Sequence, residues 1–290
     1  MTVRLLGASA LTTDKDPVLD LDDPETNFMS LLKLRGDLSG DDFFFAFPGQ
    51  AWAMVPQEQN HKCFRTFGFG SGKYEKVEDG VYRIYSREVL YYMDPDTGEI
   101  LEEWNNPFLG GRKVEVAHIA NDPVNGIFSL QGPGPLTPPY PYVSVGDHVA
   151  FQWNFFIQHP AAMNRADYPL YSSGDIDQHA ELWGLMGRKS DILDPDTTSA
   201  YCTMSWSRVA DWLPFMEMGN QPGKMVFHSH SMKLMEGRSE LPRPVLDYIE
   251  KNHSEYLTAP SEWNGPQMTS SAGEFKKKID ARRAAAGESD

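Results

Sequence analysis

The sequence predicts a mainly β (α+β) fold: a large antiparallel β-barrel or strongly curved sheet, lipocalin-like, with peripheral C-terminal helices. Three observations carry this. Candidate strands are separated by turn chemistry every ~8–12 residues, the spacing of sandwiches and barrels. The stretch His148–Gln158, HVAFQWNFFIQ, puts Val149, Phe151, Trp153, Phe155 and Ile157 on one face and His148, Gln152, Asn154 and Gln158 on the other, a period-two pattern. Long strand–helix–strand alternation is missing, which disfavours a parallel sheet. A barrel of about eight or more strands has room for one small ligand.

The elements follow in order. Residues 1–27 read as an N-terminal extension, with an apolar run too short for a signal peptide or a membrane span. Strands are expected over Leu31–Leu34, Phe43–Phe47 and Ala51–Val55, the last two separated by a turn at Pro48-Gly49-Gln50. His61–Phe69 is expected to end in a hairpin at Gly70-Ser71-Gly72, and Val81–Met93 at the turn Asp94-Pro95-Asp96-Thr97-Gly98. In that turn Pro fixes φ, Asp bonds its own backbone and Gly supplies positive φ. Asn105-Asn106-Pro107 to Gly110-Gly111 is a second turn, and Asn125-Gly126 a favoured two-residue hairpin. Lys113–Ile119 alternates between them. The proline-rich stretch 132–141 cannot be helix or central strand and reads as a crossover. Glu181–Arg188, Ser199–Val209 and Lys224–His230 complete the strands. One clear helix begins near Pro242 and includes VLDYIEKNHSEYL. Nothing resembles a linker between Leu31 and Tyr256, so residues 28–258 read as one domain and 259–290 as a tail with a short surface helix or frayed end.

The segment Arg83 to Val124, and Ser205-Trp206-Ser207-Arg208 through Trp212-Leu213-Pro214 to Pro222-Gly223, resembles a bacterial and fungal family catalogued as domain of unknown function 1838. The resemblance spans roughly Leu31 to Phe227 and implies no particular activity, so function has to come from chemistry.

The 290 residues carry a net charge of −15. That disfavours nucleic acid and anionic membranes, which select basic surfaces. Cys63 and Cys202 lie in apolar runs and read as buried thiols, consistent with a cytoplasmic chain. The partner expected is a hydrophobic small-molecule substrate, with no nucleic acid and no membrane; a homodimer is left open. Aromatic content is high at 12%. It has two readings of equal weight, the ordinary preference of strands and an aromatic-lined cavity.

No cofactor motif is present. Gly68-Phe69-Gly70-Ser71-Gly72 lacks the full dinucleotide pattern and a following helix. His228-Ser229-His230 puts two imidazoles on one strand face, but a metal needs a third ligand from Glu181, His118 or Asp122. No cofactor and no essential metal is the expectation, with a metal-dependent oxygenase on this pair as the minority alternative.

The stronger constellation is spread over strands. His118, Asn121 and Asp122 stand together at a strand end near Tyr91 and Tyr92, and Glu181, Tyr201 and Arg208 come from later strands. Each has a commoner structural role: a core histidine, turn chemistry at Asp122, an edge charge at Glu181, cation–π packing of Arg208 between Trp206 and Trp212. Arg208 nevertheless lies in an apolar neighbourhood and needs a carboxylate or anionic partner. The expected catalytic set is His118 as proton-transfer group, Asp122 orienting it, Arg208 holding an oxyanion, and Tyr92 or Glu181 assisting the second proton. Asn121, Phe151, Trp153, Tyr201, Trp206, Trp212 and Met216 are the expected substrate-binding residues. Such a set suits a cofactor-independent lyase or isomerase. Its substrate would be a hydroxylated aromatic, such as a lignin-derived phenolic dimer losing formaldehyde, or a terpenoid. The alternative is a lipocalin-like carrier.

Overall fold

In a computed structural model that describes residues 20–132, 137–265 and 271–287, helix α1 (Pro24–Arg35) precedes three long strands, β1 (Phe43–Met54), β2 (His61–Glu78) and β3 (Val81–Met93). Short strands follow: β4 (Glu103–Asn106), β5 (Arg112–Glu115), β6 (Ile119–Asn121), β7 (Gly126–Ser129) and β8 (Tyr142–Val145). Then come β9 (His148–Pro160), β10 (Ile176–Arg188), α2 (Lys189–Ile192), β11 (Thr203–Ala210), β12 (Lys224–Leu234), α3 (Arg243–Asn252) and α4 (Ser271–Ala286). The main sheet is ten-stranded, in the order β6-β3-β2-β1-β12-β11-β10-β9-β8, with β7 also on β3; β4 and β5 pair separately. Every ladder is antiparallel. The sheet has two ends: among the described residues no ladder joins β8 to β6 or β7. The architecture is therefore a mainly β antiparallel sheet with helices packed against its faces and a C-terminal helix.

Four local expectations are corrected. Leu31–Leu34 belongs to a helix. Asp23 caps α1, accepting the Thr26 N–H at 2.8 Å, and Pro24 opens it; a short apolar run has no period of its own, so the cap decides. Pro48-Gly49-Gln50 is no turn, because β1 runs straight through it. The β1–β12 ladder skips Phe47 and Pro48, and the Pro48 carbonyl accepts from Ser229 Oγ at 3.1 Å, so the missing proline N–H breaks no bond. The glycine run 68–72 lies inside β2 and makes no hairpin. A Cβ on Gly68 would stand 1.7 Å from the Phe47 ring and one on Gly72 2.7 Å from the Phe43 ring. These glycines leave room for the rings of the neighbouring strand. Asn125-Gly126 joins no hairpin either: β6 and β7 both pair with β3, and Asn125 Oδ1 accepts the Ser86 N–H at 3.1 Å.

Other expectations hold. At the Asp94 turn, Oδ1 accepts the N–H groups of Asp96 and Thr97, and Gly98 has φ 75°. β9 keeps the expected faces, with Phe151 fully buried and Phe156 exposed. The tail forms α4, with Phe275 and Ile279 buried against the body of the protein. Residues 133–136 of the expected crossover, residues 1–19 of the expected extension, and 266–270 and 288–290 of the tail lie outside the described residues. Among the described residues no helix is long and apolar enough to cross a membrane.

Register assigns the side chains to faces. One face of the sheet, here the inner face, carries Phe43, Phe45 and Phe47 of β1. By pairing it carries Glu88 and Tyr92 of β3, Arg208 of β11 and Glu181 of β10. One apolar cluster packs α1 against the inner face through Phe28, Leu31, Phe45, Tyr74, Phe151 and Leu185. A second occupies the other end of the same face through Phe64, Tyr92, Phe215, Met216, Met225 and Phe227. A third covers the outer face of β1–β3 with α3, through Phe69, Val89, Tyr91, Val245 and Ile249.

Candidate functional site

Between the two inner-face clusters lies a belt that neither packs shut. Along β10, Leu185 and Gly187 are buried, while Trp183, Glu181 and His179 stay partly accessible. Along β1, Phe43, Phe45, Ala51 and Ala53 are buried, while Phe47 and Gly49 are not fully covered. Glu88 of β3, Trp153 of β9, and Trp206 and Arg208 of β11 are likewise half-covered. This partly accessible belt, called the trough below, carries three tryptophans and four ionisable groups.

The residue pairs Glu181↔Arg208 and Trp183↔Trp206 are directly opposed in the β10–β11 ladder, so they share one face at adjacent levels. Glu181 Oε2 accepts both indole N–H groups, from Trp183 at 3.0 Å and Trp206 at 3.3 Å. Its Oε1 stands 3.7 Å from Arg208 Nε and 3.7 Å from His179 Nε2. That carboxylate is held by donors and counter-charge, as a partly buried anion requires. Arg208 Nε is buried with no hydrogen-bond partner, so part of the guanidinium fork is unused. Burial pushes the His179 imidazole below its usual range; Arg208 lowers it further, and Glu181 opposes.

On β3, five strand steps away from β10 in the sheet order, the same face carries Glu88. It accepts from Asn121 Nδ2 at 2.9 Å, and Asn121 Oδ1 is itself buried without a partner. Burial pushes the Glu88 carboxyl above the usual carboxylate range. The Asn121 bond and the charges of Arg35 and Arg208 pull it down, and the Glu181 charge pushes it further up. A carboxyl raised in this way is a candidate proton donor or acceptor.

The expected site residues divide accordingly. Glu181, Arg208, Asn121, Trp153 and Trp206 line the trough. Tyr92 and Phe151 are on the same face but buried in the clusters at its two ends. Trp212 and Met216 are core: Trp212 Nε1 donates to Gln221 O at 2.9 Å and Met216 is fully buried. Tyr201 is 50% exposed and lies before β11, away from the belt. His118 precedes β6 at the edge of β3, where Nδ1 accepts the Tyr92 backbone N–H at 3.2 Å. Its ring packs on Tyr91 and Tyr248, and burial pushes its pKa down to about 4. Asp122 pairs with Arg87 on the outer face, Nε to Oδ1 3.4 Å, and no hydrogen bond joins it to His118. The structure does not bring His118 and Asp122 together with Glu181 and Arg208. The histidine pair is on the outer face, exposed, with His228 Nε2 3.1 Å from His230 Nε2 and His228 Nδ1 2.7 Å from Ser207 Oγ. Glu181 lies on the opposite face. Among the described residues no group of three His, Cys, Asp or Glu forms around the pair or elsewhere.

Glu88, His179 and Trp183 are the trough residues that sequence reading missed. The signal for Glu88 was alternation: Tyr82, Ile84, Ser86, Glu88, Leu90 and Tyr92 form one strand face on which Glu88 is the only charge.

A family model described as "Protein of unknown function (DUF1838)" matches residues 40–279. None of the curated proteins compared with the chain matches it.

Proposed function

We propose that this chain, which belongs to the DUF1838 family, is an acid–base enzyme acting on a hydrophobic hydroxylated aromatic compound held in the inner-face trough. The observation that carries this reading is the opposition of two unlike carboxyls. Glu181 is held by two indole N–H groups and faces Arg208, while burial raises Glu88. Two carboxyls in unlike surroundings, one of them raised by burial, suit divided acid and base roles. In this reading Glu88 moves the proton, Arg208 stabilises the developing oxyanion, and Glu181 fixes Arg208 and the tryptophans. Proton transfer to and from a hydroxylated carbon skeleton is lyase or isomerase chemistry.

A curved sheet belongs to the same proposal. Glu88 and Glu181 are five strand steps apart in the sheet order. A flat sheet with ~4.8 Å per step would separate those strands by about 24 Å. Yet Glu88 responds to the charges of Glu181 and Arg208. One cluster also joins Tyr82 and Ile84 of β3 with Phe151 of β9. Both support a half-barrel wrapped around the trough. The carrier alternative needs only shape and apolar area, and it leaves the cost of half-burying two carboxyls and Arg208 without a return.

The test is turnover of a panel of hydroxylated diaryl and terpenoid compounds, with products identified by mass spectrometry. Glu88→Gln should lower the rate by about 10²–10⁴-fold with binding kept. Tight binding without turnover on any compound would favour the carrier, and turnover that survives Glu88→Gln would remove Glu88 from the role given it here.

A further inference from the structure

Arg35 ends α1 and, among the described residues, has no hydrogen-bond or ion-pair partner. Its position is nonetheless fixed. Lys233 Nζ donates to the carbonyls of Gly36 at 2.5 Å, Lys33 at 2.9 Å and Ala200 at 3.2 Å, and so pins the end of the helix. Gly36 gives room for Tyr74: a Cβ there would stand 2.3 Å from the Tyr74 ring. The Arg35 guanidinium lies 5.9 Å from the centre of the Phe128 ring, which packs edge-on to Tyr74 at 6.2 Å. The Tyr74 hydroxyl is buried and has no hydrogen-bond partner. A guanidinium and a buried hydroxyl, neither with a hydrogen-bond partner among the described residues, thus flank Phe128 in an aromatic corner beside α1. A cation favours a helix C-terminus, and the Arg35 side chain is partly accessible there, so its N–H donors are open to an acceptor on a ligand.

We propose that the trough binds an aromatic acid as its monoanion, with the carboxylate on Arg35 and the Tyr74 hydroxyl and the ring system against Phe47, Trp153 and Trp183. This rests on the trough being the ligand site. A carboxylate is the acceptor that matches a planar guanidinium fork and accepts a phenol O–H at the same time. Charge balance points the same way. The belt carries Arg208, Glu181 and Glu88, with His179 beside Glu181 and the Arg35 charge near enough to act on Glu88. When Glu88 holds its proton, the belt carries one positive charge more than negative, which a monoanion neutralises. The raised Glu88 carboxyl is consistent with that state.

The experiment uses 2-naphthoate and its neutral isostere 2-naphthamide as probes, with binding read by quenching of tryptophan fluorescence in the full chain. The naphthoate should bind about tenfold tighter or more than the amide, the scale of a charge-assisted bond. Arg35→Met should abolish that preference and leave the amide unchanged. Arg35→Lys, which keeps the charge but not the fork, should retain part of it. Equal binding of the two probes by the wild type overturns the inference and leaves the trough as a ligand site. A preference that survives Arg35→Met but is lost in Arg208→Met overturns the assignment to Arg35. Binding of neither probe overturns both the inference and the trough as an aromatic site.

Discussion

At the scale of single residues, partners decide role more than residue type does. His118 has the side chain most often used for proton transfer, yet the structure gives it a structural setting. Its Nδ1 accepts a backbone N–H, its ring is packed among tyrosines, and burial lowers it to about 4. Its effect on stability follows with a definite sign. Between pH ~6.5, its unfolded value, and pH 4, the unfolded chain binds a proton that the folded chain refuses. Stability should therefore fall as pH drops through that window. Urea midpoints measured across it should decline in the wild type and decline less steeply in His118→Gln; parallel curves would show that His118 is not the buried neutral group described. The same substitution should leave turnover largely intact, in contrast to Glu88→Gln. Arg208 and Glu181 were legible because charge inside an apolar sequence demands a partner. Glu88 was marked only by alternation, because its hydrogen-bond partner Asn121 comes from β6 and only pairing brings it near.

At the scale of elements, the period-two stretches were readable and the interruptions were not. β9 and the Asp94 turn follow from local chemistry alone. Pro48 and the glycines of β2 carry turn signals in isolation, and long-range packing overrides them. The Ser229 hydroxyl takes up the Pro48 carbonyl, and the Phe47 and Phe43 rings lie over Gly68 and Gly72. This makes Gly68 a sensitive position. Gly68→Ala forces the Phe47 ring out of its place toward the trough. Overpacking of this kind costs about 1–3 kcal/mol, and the displaced ring should weaken aromatic probe binding as well. A thermal melt and a fluorescence titration on the same variant check both; unchanged values in both would mean that Phe47 does not rest on Gly68. The strand assigned to Leu31–Leu34 failed for a related reason, since four apolar residues fit either period and Asp23 settles the matter through its cap.

At the scale of the whole molecule, sequence gave the class and left the sheet order open. Antiparallel β with a C-terminal helix was legible from turns and alternation. The order that places β12 between β1 and β11 was not, because the strands it joins are far apart in the chain. That order puts Glu88 toward one end of the sheet and Glu181 with Arg208 toward the other, all on one face. The chain has seven tryptophans, and their distribution gives a map of the inner face. Trp153, Trp183 and Trp206 line the trough, while Trp52, Trp104, Trp212 and Trp263 lie elsewhere, so indole N–H resonances separate the two groups. The most direct measurement is a ¹H–¹⁵N correlation spectrum of the seven indoles during titration with 2-naphthol. The trough account predicts that the Trp183 and Trp206 signals, bonded to Glu181, move together with Trp153 while the other four stay in place. Movement confined to Trp52, Trp104, Trp212 or Trp263 would contradict it and place the aromatic site outside the trough.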